Sequence, residues 1–180
     1  QEFSDATPLF PIVALVATLA ACGGSAAPTS PGAVTTSVLS VTPDGGATNV
    51  ATTSVITITF NHAMMSGMEQ YVAVHQDSLT GPEVSGTTSW SSDHTQLTFT
   101  PAGLLAPATT YVLHMGGGMM DANDAPISYA QCPAFGGESV TGWMMAGGGM
   151  MGGGGSGSEM GNGWKGSDGD YGMQFTFTSA

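Results

Sequence analysis

Short alternating runs of apolar and polar residues, separated by turn signals, leave this chain few folds to choose from. Val55-Ile56-Thr57-Ile58-Thr59-Phe60 puts Ile56, Ile58 and Phe60 on one face. Gln96-Leu97-Thr98-Phe99-Thr100 turns Leu97 and Phe99 inward. Thr110-Tyr111-Val112-Leu113-His114-Met115 places Tyr111, Leu113 and Met115 on one face and Val112 and His114 on the other. Four further runs have β texture: Val38–Val41, Tyr71–His75, Val84–Trp90 and Met173–Thr178. Pro43-Asp44-Gly45-Gly46, Thr80-Gly81-Pro82 and Pro101-Ala102-Gly103 break the chain between runs. No stretch sustains a helical period. An all-β chain with about seven short strands at this spacing predicts an antiparallel β-sandwich.

The 180 residues suggest one domain with appendages. Lys165 is the single basic residue against thirteen acidic ones, for a net charge of −12. That balance excludes nucleic acid as a partner, because binding it needs cations that displace counterions. It also disfavours adsorption to anionic lipid. Near the start, Leu9–Ala17 is apolar but too short to span a bilayer, and it has the length of a signal-peptide core. Leu19-Ala20-Ala21-Cys22 resembles a bacterial lipobox, which implies lipidation at Cys22. The Gly23 that follows implies sorting to the outer membrane. Residues 1–22 are therefore expected to be a lipoprotein signal, with Gln1-Glu2-Phe3 a scar in place of the native start. Residues 23–33 are a Pro/Gly/Ser linker with a flexible reach of roughly 20 Å. The folded domain is expected over 34–180, at the bacterial cell envelope, touching a membrane only through the anchor on Cys22. Cys132 is then a free thiol, a metal ligand or an intermolecular partner, or it pairs with Cys22 if that segment is retained.

Several segments carry a family resemblance. They are Val41-Thr42-Pro43-Asp44-Gly45-Gly46-Ala47-Thr48-Asn49-Val50, Ile56–Met64, Leu97–Pro101, Leu105–Tyr111, Asp121-Ala122-Asn123-Asp124 and Tyr171–Thr178. Together they resemble a bacterial Ig-like domain of the SbsA type, over residues 36–127 and 171–179. The resemblance implies an Ig-like sandwich. It also implies an adhesive or spacer role, although a fold does not by itself define a function. Two features depart from the family: an insertion over 126–170 in the F–G connection, and a heavy loading of Met and His.

All twelve methionines lie between Met64 and Met173. Eight form adjacent pairs: Met64-Met65, Met119-Met120, Met144-Met145 and Met150-Met151. Two of these pairs directly follow three glycines, a setting a hydrophobic core does not use. Thioethers are soft neutral donors, and with imidazole they favour Cu(I) over hard cations. In an Ig-like sandwich the B–C and F–G loops emerge at one end. That end is expected to gather His62, Met64, Met65, Met68, His94, His114, Met119, Met120, Met144, Met145, Met150 and Met151 as candidate metal ligands. Met115 and Met173 fit core positions, and His75 is expected at the opposite end.

The reading that follows is an envelope protein that sequesters Cu(I), or Ag(I), or hands it to an envelope copper-handling partner. The alternative is a structural or adhesive module whose Met-rich loop contacts a protein. A third is a sacrificial oxidant sink, since methionine sulfoxide is reducible. A Ca²⁺ site on Asp121, Asn123 and Asp124 is a minor option. No nucleophile elbow, zincin motif, Cys-x-x-Cys or P-loop is present, and the carboxylates are scattered, so no enzyme is expected.

Overall fold

The computed structural model describes residues 35–140, 165, 166 and 169–180. The chain separates into two units, 1–33 and 34–180, and all described residues belong to the second.

The expected sandwich is what forms. One sheet has the order β5-β6-β3-β1-β8, with β1 at Thr36–Thr42, β3 at Ile56–Phe60, β5 at Gly86–Trp90, β6 at Gln96–Pro101 and β8 at Ile127–Ser128. The other runs β2-β10-β7-β4, with β9 also paired to β10. Its strands are β2 at Ala47–Val50, β4 at Val72–Gln76, β7 at Thr110–Met115, β9 at Gly137–Ser139 and β10 at Met173–Ser179.

Alternation fixes which side chains meet between the sheets. Ile56, Ile58 and Phe60 of β3 are buried, as are Leu97 and Phe99 of β6. Phe175 and Phe177 of β10 meet Tyr111 and Leu113 of β7 in the same core. In β1 both Val38 and Val41 are buried, three residues apart, which a regular strand would forbid. The pairing with β3 shifts register between Val38 and Ser40, and this irregularity restores both valines to the core. The Tyr111 hydroxyl accepts the Ala106 N–H at 2.8 Å, tying the start of β7 to the preceding loop as a tyrosine corner does in Ig-type sandwiches.

Strand β7 is buried on both faces. Tyr111, Leu113 and Met115 enter the main core, while Val112 and His114 face outward beneath a second apolar group. That group contains Ala73 and Val140, with Tyr71, Leu79 and Tyr171 against it. The return into β10 passes Gly172 at φ 100°. A Cβ there would strike the Met115 carbonyl oxygen, so both conformation and space require glycine.

The stretch from 126 differs from the expected long loop. Residues 127–140 are built into the sandwich: β8 pairs in parallel with β1, a 3-10 turn covers Cys132–Phe135, and β9 adds to β10. Ile127, Cys132 and Val140 are buried. Strands of two or three residues have no period to read, which is why β8 and β9 were invisible in the sequence. Cys132 is a free, fully buried thiol whose pKa burial pushes up to about 12. That makes it a small core residue rather than a metal-binding thiolate.

Candidate functional site

The loop after β3, the β5–β6 turn and the loop after β7 meet at one end of the sandwich. Three backbone bonds join them. Met64 N–H donates to the His94 carbonyl at 2.9 Å, Met65 N–H to the Met120 carbonyl at 3.2 Å, and Ala122 N–H to the Ala63 carbonyl at 2.9 Å. Segments far apart in sequence are thus laced edge to edge, and Met64 also bridges to Asp121. The neighbouring surface hollow, about 430 Å³, is lined by Met64, Met65, Asp93 and His94 among others.

The candidate residues divide by depth. Met64 and Met119 are buried at 2% and 0% exposure, packed with Met68, Met115 and Met173 in the main core. Met68 has a further tie, since its Sδ accepts the Met120 N–H at 3.2 Å. Met65 is only partly buried, and Met120 is 38% exposed. These two thioethers reach the rim.

The histidines separate in the same way. His94 adopts φ 55° in its turn and stacks on Trp90, with ring centroids 5.7 Å apart and planes 3° from parallel. Trp90 in turn donates its indole N–H to Glu69 Oε2 at 2.8 Å. This bond is the main cause that lowers the Glu69 carboxyl below its usual range. His62 is half-buried, and its Nδ1 lies 3.2 Å from Thr36 Oγ1. His114 does not join the sulfurs. It faces the outer side of β7, away from Met115, where its Nε2 lies 2.8 Å from the Tyr171 carbonyl. Desolvation pushes its pKa down to about 4, partly offset by the Tyr171 carbonyl, with nearby His75 lowering it further. His75 sits on the same outer face, diagonal to His114 across the β4–β7 pair, with Nδ1 3.1 Å from the Gly81 carbonyl.

Met144, Met145, Met150, Met151 and Cys22 lie outside the described residues, as does most of the 126–170 segment beyond Val140.

Sequence reasoning missed the polar support beneath the rim. Asp121 is buried at 2% exposure, and its carboxylate is fully engaged. Oδ1 accepts the N–H of Asn123 at 2.8 Å and of Ala125 at 2.9 Å, and Oδ2 accepts the Thr36 hydroxyl at 2.6 Å. The Thr36 bond is the largest cause holding this carboxyl below its usual range. Asp121 therefore organises a turn, and a Ca²⁺ role would have to strip those bonds away. Thr36 is 85 residues from Asp121, so no local pattern announces the pair.

Among the described residues, no three His, Cys, Asp or Glu side chains gather in a way that could hold a metal ion. The donors that do reach the rim are two thioethers, Met65 and Met120, and two imidazoles, His62 and His94. Thioether sulfur and imidazole nitrogen are softer donors than carboxylate oxygen.

With that geometry in place, the family can be stated. The bacterial Ig-like domain model matches residues 33–134, more than half of the chain, and this protein belongs to that family. The family is a non-catalytic, surface or structural fold, and it points to the cell envelope or the extracellular side. No curated protein matches the chain. Among solved structures, L,D-transpeptidase 1 of Mycobacterium tuberculosis is 19% identical, over 44% of this chain and 35% of that one, with a TM-score of 0.36. The S-layer protein SbsC is 16% identical, over 54% and 13% of the two chains, with a TM-score of 0.39. The alpha-2-macroglobulin of E. coli is 14% identical, over 54% and 6%, with a TM-score of 0.40. This chain thus spans about a third or less of each of these proteins, and the likeness concerns the fold alone. Among the described residues no helix is long and apolar enough to cross a membrane.

Proposed function

We propose that this Ig-like module works at the bacterial envelope and holds Cu(I) or Ag(I) at the rim formed by the loops after β3 and β7. It sequesters the ion or passes it to a second envelope protein that handles copper. The observation that carries the reading is the lacing of three distant segments, which sets Met65, Met120, His62 and His94 at one end. Two to four soft ligands suffice for a monovalent soft cation. Met144, Met145, Met150 and Met151 are proposed as further donors, on the sequence alone. An acyl chain on Cys22 and the 23–33 linker would tether the domain to the membrane, as their sequence suggests.

A second reading has its own support. Met64, Met68 and Met119 sit in the core and His114 faces the other side of its sheet, so part of the Met and His loading serves packing. In that reading the module is structural or adhesive, and Met65 and Met120 contact a protein partner by adaptable packing.

Anaerobic Cu(I) titration against a chromogenic chelator separates the two. The wild type is compared with His62→Ala/Met65→Ala/His94→Ala/Met120→Ala, with His114→Ala as a control away from the rim. Competition by the wild type and the control, lost in the quadruple variant, supports metal binding at this end. No competition by any of the three leaves the structural or adhesive reading.

A further inference from the structure

His62 is the ring whose hydrogen-bond chemistry can be worked out atom by atom. Asp121 is the fixed point. Its Oδ1 accepts two backbone N–H groups, and its Oδ2 accepts one hydroxyl. A carboxylate that takes three donated hydrogens in this way, on both of its oxygens, is an acceptor only. The Thr36 hydroxyl therefore directs its single proton to Asp121 Oδ2, at 2.6 Å. What remains on Thr36 Oγ1 is lone pairs. The His62 Nδ1 that lies 3.2 Å from that oxygen must then carry a hydrogen and donate it. In a neutral imidazole with hydrogen on Nδ1, Nε2 is bare. No hydrogen bond from Nε2 to any described residue is present, and the ring is partly exposed.

We propose that Asp121 and Thr36 form a positioning relay that holds His62 as its Nδ1–H tautomer and leaves Nε2 open as the ligand atom for a soft monovalent cation. The ligand half rests on the metal-binding reading above; the tautomer half stands on the hydrogen bonds alone. The relay does for His62 what a buried partner commonly does for a metal-ligating histidine. It fixes which nitrogen bears the proton and how the ring is turned. The same loop carries Met65, and Met120 directly precedes Asp121, so the relay also ties the imidazole to both rim thioethers through short lengths of chain.

The relay has a polarity, and one substitution should reverse it. Asp121→Asn keeps an Oδ1 for the two backbone N–H groups but replaces the accepting Oδ2 by a donating NH₂. The Thr36 hydroxyl oxygen then accepts from that amide in place of donating, and its own hydrogen turns to His62 Nδ1. The ring proton is driven to Nε2, and the ligand position closes.

The test is a long-range ¹H–¹⁵N correlation spectrum of the histidine rings, with His62 assigned by its loss in His62→Ala. It is recorded on wild type, Asp121→Asn and Thr36→Val, each before and after Ag⁺ as the redox-inert probe. In wild type, Nδ1 is expected at the protonated shift and Nε2 at the unprotonated shift. Asp121→Asn should exchange the two, with its backbone amide spectrum still folded. Thr36→Val, isosteric at a buried position, should release the preference and give averaged shifts; it also stands in if Asp121→Asn fails to fold. Ag⁺ should move His62 Nε2 in wild type and lose that effect in Asp121→Asn. A wild-type ring protonated on Nε2, or a tautomer indifferent to both substitutions, overturns the relay. Ag⁺ that shifts the Met65 and Met120 methyl signals but not His62 Nε2 overturns the ligand assignment while the metal reading stands. Ag⁺ that shifts none of them removes the metal reading and the ligand assignment together, and the metal-free spectra still decide the tautomer.

Discussion

Met119 and Met120 are neighbours in sequence and opposites in setting. Met119 is fully buried in the main core, whereas Met120 is 38% exposed at the rim. Met64 and Met65 repeat the contrast across the laced loops. In each pair one residue is buried and its neighbour less so, because successive residues of extended chain face opposite ways, although Met65 still packs partly against the core. A paired methionine is thus two different residues: an anchor that seals the end of the sandwich and a donor presented above it. Inner sulfurs contribute through packing, at a level set by the cavity their loss would leave. Met120, the exposed member, contributes little to stability and owes any role to what it binds.

The sharpest way to break this comparison is to truncate one member of each class. Met119→Ala is expected to cost about 2–5 kcal/mol, the usual range for emptying a buried Met site. Met120→Ala should stay within about 0.5 kcal/mol, since its side chain leaves no buried void. Urea denaturation of both variants measures the difference. Equal losses would mean that the two sulfurs do the same work.

The histidines allow a second version, with pH as the variable. His114 is buried on the outer face of β7 and its folded pKa is about 4, against an ordinary value of 6.5. The folded state therefore binds fewer protons than the unfolded state between these values, and stability rises with pH across that window. The contribution is fully present above about pH 6.5 and is lost as pH falls toward 4, for a total of about 3 kcal/mol. His114→Leu, which fits an apolar surround of Val140, Tyr71 and Tyr171, should flatten that part of the curve. Denaturation at pH 7 and pH 4.5 checks it. An unchanged slope in the variant would assign the acid sensitivity to other groups.

Much of the fold was legible because β3, β6, β7 and β10 alternate cleanly, and each falls within a residue or two of its expected span. The meeting of distant loops was legible too, since it follows from where an Ig-like sandwich places its connections. Depth was not. Nothing in the sequence of Met119-Met120 says which sulfur turns in, and His114 could be removed from the rim only by following its strand alternation through to the site. The Val112/His114 face of β7 would ordinarily meet solvent; it is buried where Tyr171 meets His114 and Val140 joins Ala73, Tyr71 and Leu79 in a second apolar group. Thr36 was invisible for another reason. Its role depends on a contact with Asp121 across most of the domain, and only the folded chain brings the two together.

The smallest effect in energy is the most direct in chemistry. Peroxide oxidises a thioether by adding oxygen to an accessible sulfur, so its rate reports exposure without perturbing the fold at low conversion. Met65 and Met120 should be oxidised well before Met64, Met68 and Met119, whose sulfurs lie within the core. Peptide mapping by mass spectrometry at increasing peroxide dose gives the order. Ag⁺ added beforehand should slow Met65 and Met120 and leave the slow class unchanged, because a sulfur lone pair donated to a metal is no longer available to the oxidant. Uniform rates across the five residues would mean that the end of the sandwich opens on the timescale of the reaction. Early oxidation of Met65 and Met120 that Ag⁺ does not slow would keep the inner and outer classes distinct, yet deny the outer one its metal.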